Sequence, residues 1–389
     1  MKNILVLLDN PYQPDPRVKR HLDALIEIGF KIHLICTKTL KKEKEFTNAS
    51  LTIYRILTQD KIFQYYKNNF DKELEKIKEI LLTNCIQIIL ANDHICLELA
   101  VKIQNKLKDV KIIYDAHEFI SGWPFYKYEK RWIYYIKGWA VHKVYKFKER
   151  KNLNNIHSML TVSEGLKYEY LKINPSLDIS VVRNIPPSIE KNRKKNNDFR
   201  VKLNLSEKDH VLVHSGNLYY QDKLIDFLMN EITLFPDNFK VLFLSKPYDQ
   251  KRIKNHTKFE ANKNKLLFVD LVPYNELNEF LKVGTAGLIL NYKPKWKSHW
   301  YSLPNRIFDY LQAELPLLST EQPEFKRIIR EFEVGTTYFI SKEPGQLLDG
   351  FNYIISNTRK LKDNIRNANK GLSWEKEKIN LVQLINKVE

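Results

Sequence analysis

Residues 4–18 have the sequence ILVLLDNPYQPDPRV, and this stretch decides the fold class. The five apolar residues 4–8 suit a strand that is buried on both faces of a parallel sheet. A proline-rich turn follows, in which Asp15 can cap the next helix and Pro16 suits the first helical position. Apolar residues then recur at helical spacing until Gly29, where the helix is expected to end. A buried strand followed directly by a helix is typical of an open sheet covered by helices on both faces.

The same alternation continues along the chain in two series. Residues 188–197 separate the series and are polar, with several Lys and Asn residues. We therefore predict a doubly wound α/β domain over residues 1–187, a linker over 188–197 and a second such domain over 198–371. The predicted strands are residues 4–8, 32–36, 53–57, 86–91, 111–115, 159–163 and 179–183 in the first series, and 210–214, 241–244, 266–269, 286–290 and 316–319 in the second.

The composition predicts a globular protein that favours anionic ligands. Hydrophobic residues make up 43% and charged residues 28%, and no apolar run approaches the ~20 residues that a membrane-spanning helix requires. The cysteines, Cys36, Cys85 and Cys96, are scattered, which favours the reducing cytoplasm over a disulfide framework or a thiolate metal site. The net charge of +18 favours nucleic acid, an anionic membrane surface or phosphorylated ligands, or it reflects ordinary surface solvation.

The predicted strand 111–115 ends in the tetrapeptide Asp115-Ala116-His117-Glu118, which places an imidazole and two carboxylates at its carboxyl end. Position alone leaves two interpretations: the carboxylates cap a helix and the imidazole is structural, or the three side chains form a site. The tetrapeptide resembles the DAHE element of bacterial family 4 glycosyltransferases. The resemblance extends to PRV at residues 16–18, TVSEG at 161–165 and VVRN at 181–184.

A second segment, SLPNRIFDYL at residues 302–311 followed by LPLLS at 315–319, is similar to the donor-site segment SLPNKLFEYL…GLPV of that family. Its chemistry also has an independent rationale. A loop kept open by Pro304 and leading into a helix at Asn305 can direct backbone N–H groups and the charge of Arg306 at a diphosphate. Asp309, one turn later, is placed to meet ribose hydroxyls.

Two departures from the family pattern concern charged positions. The family has two Glu residues with seven positions between them, whereas this chain has Tyr301 and Asp309 at the corresponding places. The cation that follows the first strand of the second domain corresponds to Lys223, displaced by about one position. LLFVDLVPYNEL at residues 266–277 resembles the segment whose backbone meets the nucleobase, and residues 372–375 resemble the start of a terminal helix that crosses back to the first domain.

The resemblance implies a GT-B fold, with two Rossmann-like domains facing across a cleft and a terminal helix, about 372–389, packed on the first domain. It implies sugar transfer from a nucleotide-diphosphate sugar to a glycan, lipid-linked or cell-surface acceptor, with retention of configuration and no metal or other cofactor. His117 is expected to contact the donor sugar; in an inverting reaction, His117 or Glu118 becomes the general-base candidate. The implied site residues are His117 and Glu118 as catalytic residues; Gly216, Lys223, Ser302, Leu303, Asn305 and Arg306 at the diphosphate; Asp309 at the ribose; Val272 and Pro273 at the nucleobase; and Asp15, Arg17 and Asp115 in an acceptor-domain loop.

Two alternatives to a transferase remain open at this point. A sugar-nucleotide epimerase can share the same architecture and diphosphate site. A sugar-nucleotide or membrane-binding protein with impaired catalysis is suggested by Tyr301 in place of the first Glu.

Residues 121–151 interleave aromatic side chains with Lys and Arg. This pattern fits a membrane interface, internal packing with surface cations, or stacking on nucleic acid, the least favoured of the three. For a membrane interface the candidate residues are Trp123, Trp132, Lys137, Trp139 and Lys143. Such an interface would make the protein peripheral on the cytoplasmic face of a membrane.

Overall fold

The structure is a computed structural model, and it describes residues 2–12, 15–37, 48–57, 71–124, 126, 131–187, 199–218, 222–291, 296–341 and 344–388. The predicted linker, 188–197, lies outside these residues, as do Phe125 and Tyr128 of the aromatic segment. The strands are β1 (Lys2–Leu7), β2 (Phe30–Thr37), β3 (Leu51–Leu57), β4 (Ile88–Asn92), β5 (Lys111–Ala116), β6 (Ser158–Thr161), β7 (Ile179–Val181), β8 (His210–Ser215), β9 (Phe239–Leu244), β10 (Leu266–Val269), β11 (Ala286–Ile289), β12 (Leu317–Thr320) and β13 (Gly335–Tyr338).

Helices connect most of these strands, and short 3₁₀ turns occur at Ile120–Gly122, Leu153–Asn155 and Lys263–Lys265. The α-helices are α1 (Pro16–Glu27), α2 (Asp71–Thr83), α3 (Asp93–Lys106), α4 (Trp132–Asn152), α5 (Glu164–Leu171), α6 (Phe199–Lys202), α7 (Asp222–Thr233), α8 (Pro247–Lys254), α9 (Phe259–Asn262), α10 (Tyr274–Leu281), α11 (Lys297–Trp300), α12 (Arg306–Gln312), α13 (Pro323–Phe332), α14 (Gln346–Ser356), α15 (Thr358–Gly371) and α16 (Trp374–Val388).

The strands form two parallel sheets. In the described residues, the first sheet has the order β3-β2-β1-β4-β5-β6-β7 and the second has the order β10-β9-β8-β11-β12-β13. Both orders reverse direction beside their first strand, as in the Rossmann fold. The prediction of two doubly wound α/β halves is therefore confirmed, and the predicted strands agree with observed strands to within two residues at each end.

The opening unit forms as its sequence predicts. Asp15 caps α1 by accepting a hydrogen bond from the backbone N–H of Val18 at 3.1 Å, and Pro16 occupies the first helical position. Within β8, alternate side chains enter different cores: Val211 and Val213 pack on one face, and Leu212 packs on the other. Helices therefore cover both faces of the second sheet, as a continuous apolar strand requires.

Two compact units emerge from the contacts within the chain. One comprises Met1–Arg183, Trp296–Ser298 and Glu377–Glu389, and the other comprises Asn184–Lys295 and His299–Lys376. In the first unit, Glu377 of α16 accepts hydrogen bonds from the backbone N–H of Arg183 at 2.7 Å and from its guanidinium at 2.6 and 2.8 Å. The three bonds fasten the last helix to the chain just beyond β7.

Candidate functional site

The first candidate site lies at the carboxyl ends of β1, β4 and β5, where the order of the first sheet reverses. Ligands of open α/β sheets bind at such positions. Asp9 follows β1, Asp93 begins α3 directly after β4, and Asp115 and His117 lie at the end of β5. The topology thus brings together groups that are far apart in the sequence.

Asp115 anchors the cluster from inside the protein. Its fully buried carboxylate accepts a hydrogen bond from Arg17 Nη2 at 2.5 Å, and His21 Nδ1 lies 3.1 Å from Asp115 Oδ2. Burial alone would raise the pKa of Asp115, but Arg17 and His117 outweigh burial and hold that pKa well below its usual value. Two of the predicted acceptor-loop residues, Arg17 and Asp115, therefore bind each other in the interior.

His117 lies between two carboxylates. Its Nδ1 is 3.2 Å from Asp93 Oδ2, and its Nε2 is 3.4 Å from Asp115 Oδ2. Burial disfavours the imidazolium, but these carboxylates outweigh it and raise the pKa of His117 to about 10. The imidazole is protonated at neutral pH, so it can donate hydrogen bonds but has no lone pair with which to accept a proton.

Asp93 holds this arrangement through an unusual backbone conformation. Its φ is +62°, in the left-handed region, although it is the first residue of α3. The backbone N–H of His117 donates to Asp93 Oδ1 at 3.2 Å. Non-glycine residues in this region are uncommon, and such strain is concentrated at functional sites. The sequence prediction missed Asp93, although a polar residue directly after a buried strand is the same signal that identified Asp115.

Glu118 and Asp9 are the more accessible acids of this site. Desolvation and the Asp93 carboxylate raise the pKa of Glu118 to about 7. Desolvation and Asp93 also raise the pKa of Asp9, which is half-buried, to about 6. Both carboxyl groups therefore exchange protons near neutral pH, unlike His117.

The loop that follows His117 is held in place by hydrogen bonds to buried side chains. The buried carboxylate of Glu149 accepts hydrogen bonds from the backbone N–H of Ser121 at 2.8 Å and from Tyr170 Oη at 3.0 Å. The backbone N–H of Phe119 donates to Ser298 Oγ at 3.2 Å. These contacts restrain the loop from α4, α5 and α11.

The second candidate site lies where the order of the second sheet reverses, beside β8. Gly216 follows β8 with a φ of +103°. A Cβ atom at this position would lie only 2.9 Å from Nη2 of Arg306, the first residue of α12. The backbone conformation favours glycine here, and a Cβ atom would displace the guanidinium.

A neutral histidine positions Arg306. The fully buried His214 donates from Nδ1 to the carbonyl oxygen of Leu288 at 3.2 Å, so its Nε2 keeps a lone pair that faces Arg306 Nη1 at 3.3 Å. Burial, together with Arg306, lowers the pKa of His214 well below its usual value. The backbone N–H of Ser215 donates to Tyr310 Oη at 2.7 Å, which fixes the next turn of α12 to the same strand.

The charge of Arg306 is not compensated locally. No carboxylate of the described residues forms an ion pair with it, and the ionisable groups that most influence it are Tyr310 and then Asp309, both on α12. Burial lowers the pKa of Arg306, yet a guanidinium stays charged in proteins. A half-buried cation of this kind can bind an anion through charge-assisted hydrogen bonds. Within the described residues, His, Cys, Asp and Glu side chains form no group of three or more that could hold a metal ion.

The remaining predicted donor-site residues lie in the second unit in different settings. Tyr274 Oη donates to Asp309 Oδ1 at 3.3 Å, and Asn305 Oδ1 accepts from Asn184 Nδ2 at 2.7 Å. Ser302 Oγ donates to the carbonyl oxygen of His299 at 2.8 Å. The polar groups around Arg306 thus include one acid and several amide and hydroxyl groups already held in place.

Four further predicted residues have less specific surroundings. Leu303 is buried in a core against which the half-buried Val272 also packs. Pro273 is exposed and precedes α10. Lys223 is exposed on α7 and has no described contact with Arg306.

The predicted membrane residues separate into two groups. Trp123 is half-buried, whereas Trp132 and Trp139 of α4 are 73% and 45% exposed. Lys137 is exposed, and Lys143 Nζ lies 5.5 Å from the centre of the Trp139 ring. Among the described residues, no helix combines the length and the apolar character needed to cross a membrane.

The chain has two parallel sheets, each with the strand order of the Rossmann fold, and this is the architecture of the GT-B fold. Solved structures of glycosyltransferases with this fold resemble the whole chain. The chain is similar to sucrose-phosphate synthase from Thermosynechococcus elongatus (TM-score 0.75, 14% identity, covering 100% of this chain and 99% of that chain). It is also similar to HepE from Anabaena in complex with UDP (TM-score 0.68, 12% identity, 100% of each chain). A third similar structure is a glycosyltransferase from Rickettsia africae (TM-score 0.69, 12% identity, 100% of this chain and 98% of that chain).

These similarities confirm the predicted GT-B fold. No protein-family model matches the chain, and no curated protein matches it in sequence. Membership of family 4 therefore stays a prediction.

Proposed function

We propose that this protein is a glycosyltransferase that takes a sugar from a nucleoside-diphosphate donor and transfers it to a glycan, lipid-linked or cell-surface acceptor. The observation that carries the proposal is the uncompensated charge of Arg306 beside Gly216, at the ligand-binding edge of the second sheet. A diphosphate supplies the missing negative charge. HepE, a protein of the same fold, was solved with UDP and also with UDP and glucose, which supports this class of ligand.

In the proposed reaction, the bond between the sugar's anomeric carbon and the diphosphate oxygen breaks, and its electron pair stays on the diphosphate. The acceptor hydroxyl oxygen forms the new bond and releases its proton. Arg306 stabilises the charge that develops on the leaving group, and a preorganised cation of this kind is a large contribution to catalysis. We propose that the reaction therefore needs no metal ion.

His117 has a different role in this proposal. Its imidazolium contacts the donor sugar as a charged group that Asp93 and Asp115 hold in place, and it is not the base, because a group with a pKa of about 10 does not accept the acceptor's proton at neutral pH. In a retaining reaction, which the family resemblance favours, the leaving diphosphate takes that proton. In an inverting reaction, Glu118 is the better base, since its pKa of about 7 leaves a substantial fraction ionised at neutral pH.

The donor site is tested by thermal-shift titration with UDP, GDP, TDP and CMP sugars. The wild-type chain is expected to be stabilised by at least one diphosphate donor, and Arg306→Ala should weaken that donor's binding by about 10- to 100-fold, as expected for losing charge-assisted hydrogen bonds. The donor affinity of Arg306→Lys should lie between those of the wild-type chain and Arg306→Ala, because lysine keeps the positive charge but lacks the planar set of N–H donors. Arg366→Ala is the matched control, since it removes a guanidinium from an exposed ion pair with Glu314 in the same unit.

Unchanged donor binding by Arg306→Ala, or no stabilisation by any donor, contradicts the proposal. Mass analysis of the products separates the remaining alternatives. An epimerase converts the donor to an isomer without an acceptor, and a protein with impaired catalysis binds the donor without turnover.

A further inference from the structure

Helix α4 exposes an unusual amount of apolar surface. Eight of the 19 exposed large apolar residues in the described part of the chain lie on it. They are Trp132, Ile133, Tyr134, Tyr135, Ile136, Trp139, Val144 and Phe147. Scattered single apolar residues on a surface are normal, but a contiguous group marks an interaction site.

The first two turns of α4 are exposed apart from the side where Tyr126 packs edge-on against Tyr135, with ring centres 5.1 Å apart. Residues 131–137 are all exposed, and seven consecutive helical positions span about two turns. The helix buries side chains only further on, at His142, Tyr145 and Glu149. A protein partner that covers one helix face requires only one apolar stripe, so exposed apolar residues on several sides of these turns favour a surrounding medium over a groove.

The charge of α4 matches an anionic medium. The helix contains six Lys and Arg residues, and its single acid, Glu149, is 2% exposed and bound inside to Ser121 and Tyr170. Burial lowers the pKa of Lys146, and the charges of Arg150, Lys143 and Lys297 lower it further, whereas Lys148 of the same helix is paired with Glu98 at 2.9 Å. Crowded cations without an exposed acid on the same helix are relieved by phosphate groups.

We propose that residues 132–139 of α4 enter the headgroup region of an anionic lipid bilayer, with Lys137 and Lys143 contacting lipid phosphates. Trp and Tyr favour the boundary between headgroups and acyl chains, and basic side chains add attraction to anionic lipids. Single-stranded nucleic acid fits less well, because it stacks on open aromatic faces and Lys143 lies over the face of Trp139. None of the proposed donor-site residues belongs to α4.

The test is co-sedimentation of the full chain with phosphatidylcholine vesicles that contain or lack phosphatidylglycerol. The wild-type chain is expected to sediment with the anionic vesicles, and Trp132→Ala/Trp139→Ala to lower the partition coefficient at least tenfold, since each Trp buries a large apolar area. Lys137→Gln/Lys143→Gln should lower it by about fivefold per lysine, and raised salt should have a similar effect.

Tyr168→Ala is the matched control, because Tyr168 is 58% exposed in the same unit and also has a lysine, Lys172, 4.0 Å from its ring centre. It should bind vesicles like the wild-type chain. Each variant should keep the wild-type melting temperature, which shows that it folds.

Three results would overturn the proposal. One is the absence of sedimentation with anionic vesicles, and another is equal loss in Tyr168→Ala and the Trp variant. The third is a concentration-dependent dimer of the wild-type chain that the Trp variant abolishes, which would assign the surface to contact between copies.

Discussion

Gly216 is restricted to glycine by two separate effects. Its φ of +103° disfavours any residue with a Cβ atom, and the space that a Cβ atom would occupy is taken by the Arg306 guanidinium. The first effect concerns stability and the second concerns the position of the cation. Substituting Gly216 and, for comparison, a glycine that has only the first restriction can therefore separate the two effects.

Gly216→Ala is expected to displace the Arg306 guanidinium and weaken donor binding by about tenfold, with a stability loss of about 1–2 kcal/mol from the left-handed backbone. Gly345→Ala is the control, since Gly345 has a φ of +124° in the same unit and no atom within 4 Å of the added Cβ. It should lose stability while keeping donor affinity. Calorimetric titration and thermal unfolding measure the two quantities, and equal affinity losses in both variants would contradict the role of the guanidinium.

The sequence identified Arg306 and Gly216 but not the residues that hold them. His214 and Tyr310 are fully buried among apolar residues, so their pattern in the sequence is that of ordinary core positions. Their function depends on Leu288 and Ser215, which only the folded sheet brings close. Motif spacing can locate a charged residue, but it cannot predict hydrogen bonds between distant strands.

At the scale of elements, continuous apolar strands were predictable and the edge strand β13 was not. β13 has the sequence GTTY, and only Tyr338 is buried, so it has neither an apolar run nor a clear alternation. Its pairing with β12 depends on Gly335, where a Cβ atom would lie 2.0 Å from the carbonyl oxygen of Leu317. A close backbone approach of this kind leaves little signal in the sequence except the glycine itself.

Helix α16 depends on one buried carboxylate. Glu377→Gln is expected to destabilise the attachment of α16 by about 2 kcal/mol, because it replaces a carboxylate that binds Arg183 through three hydrogen bonds. Amide hydrogen exchange of residues 380–388 should accelerate accordingly. Glu333→Gln, which removes an exposed ion pair with Lys360, should have little effect. Unchanged exchange in Glu377→Gln would show that apolar packing alone holds the helix.

At the scale of the whole molecule, the His117 cluster links stability to pH. The pKa of His117 is raised to about 10 in the folded chain from an ordinary value of 6.5, so the folded state binds its proton more tightly. The resulting stabilisation is fully present below about pH 6.5 and is lost as the pH rises through about 10. Asp93 and Asp115 provide the attraction, and their own lowered pKa values keep them ionised throughout this window.

The wild-type chain should therefore exceed His117→Gln in melting temperature at neutral pH, and this difference should shrink as the pH approaches about 10. Thermal unfolding of both proteins across this range is the measurement. Comparing the two proteins at each pH removes the effect of the other titrating groups. A difference that stays constant with pH would show that His117 is not protonated in the folded state.

The fold as a whole was predictable because its main signal is local. Buried strands followed by capped helices, repeated in two series, define two doubly wound halves without any knowledge of distant contacts. The assignment of residues 296–298 to the first unit had no such signal. Those residues include Ser298, which binds the loop after His117 through a single hydroxyl group.

The placement of residues 296–298 in the first unit restricts how two related chains can be recombined. The chain passes from one unit to the other at four points, after residues 183, 295, 298 and 376. A single crossover between two relatives near residue 183 would join one parent's first unit to the other parent's residues 296–298 and last helix. A chimera that keeps each unit's native partners must instead exchange both of these segments together with residues 1–183.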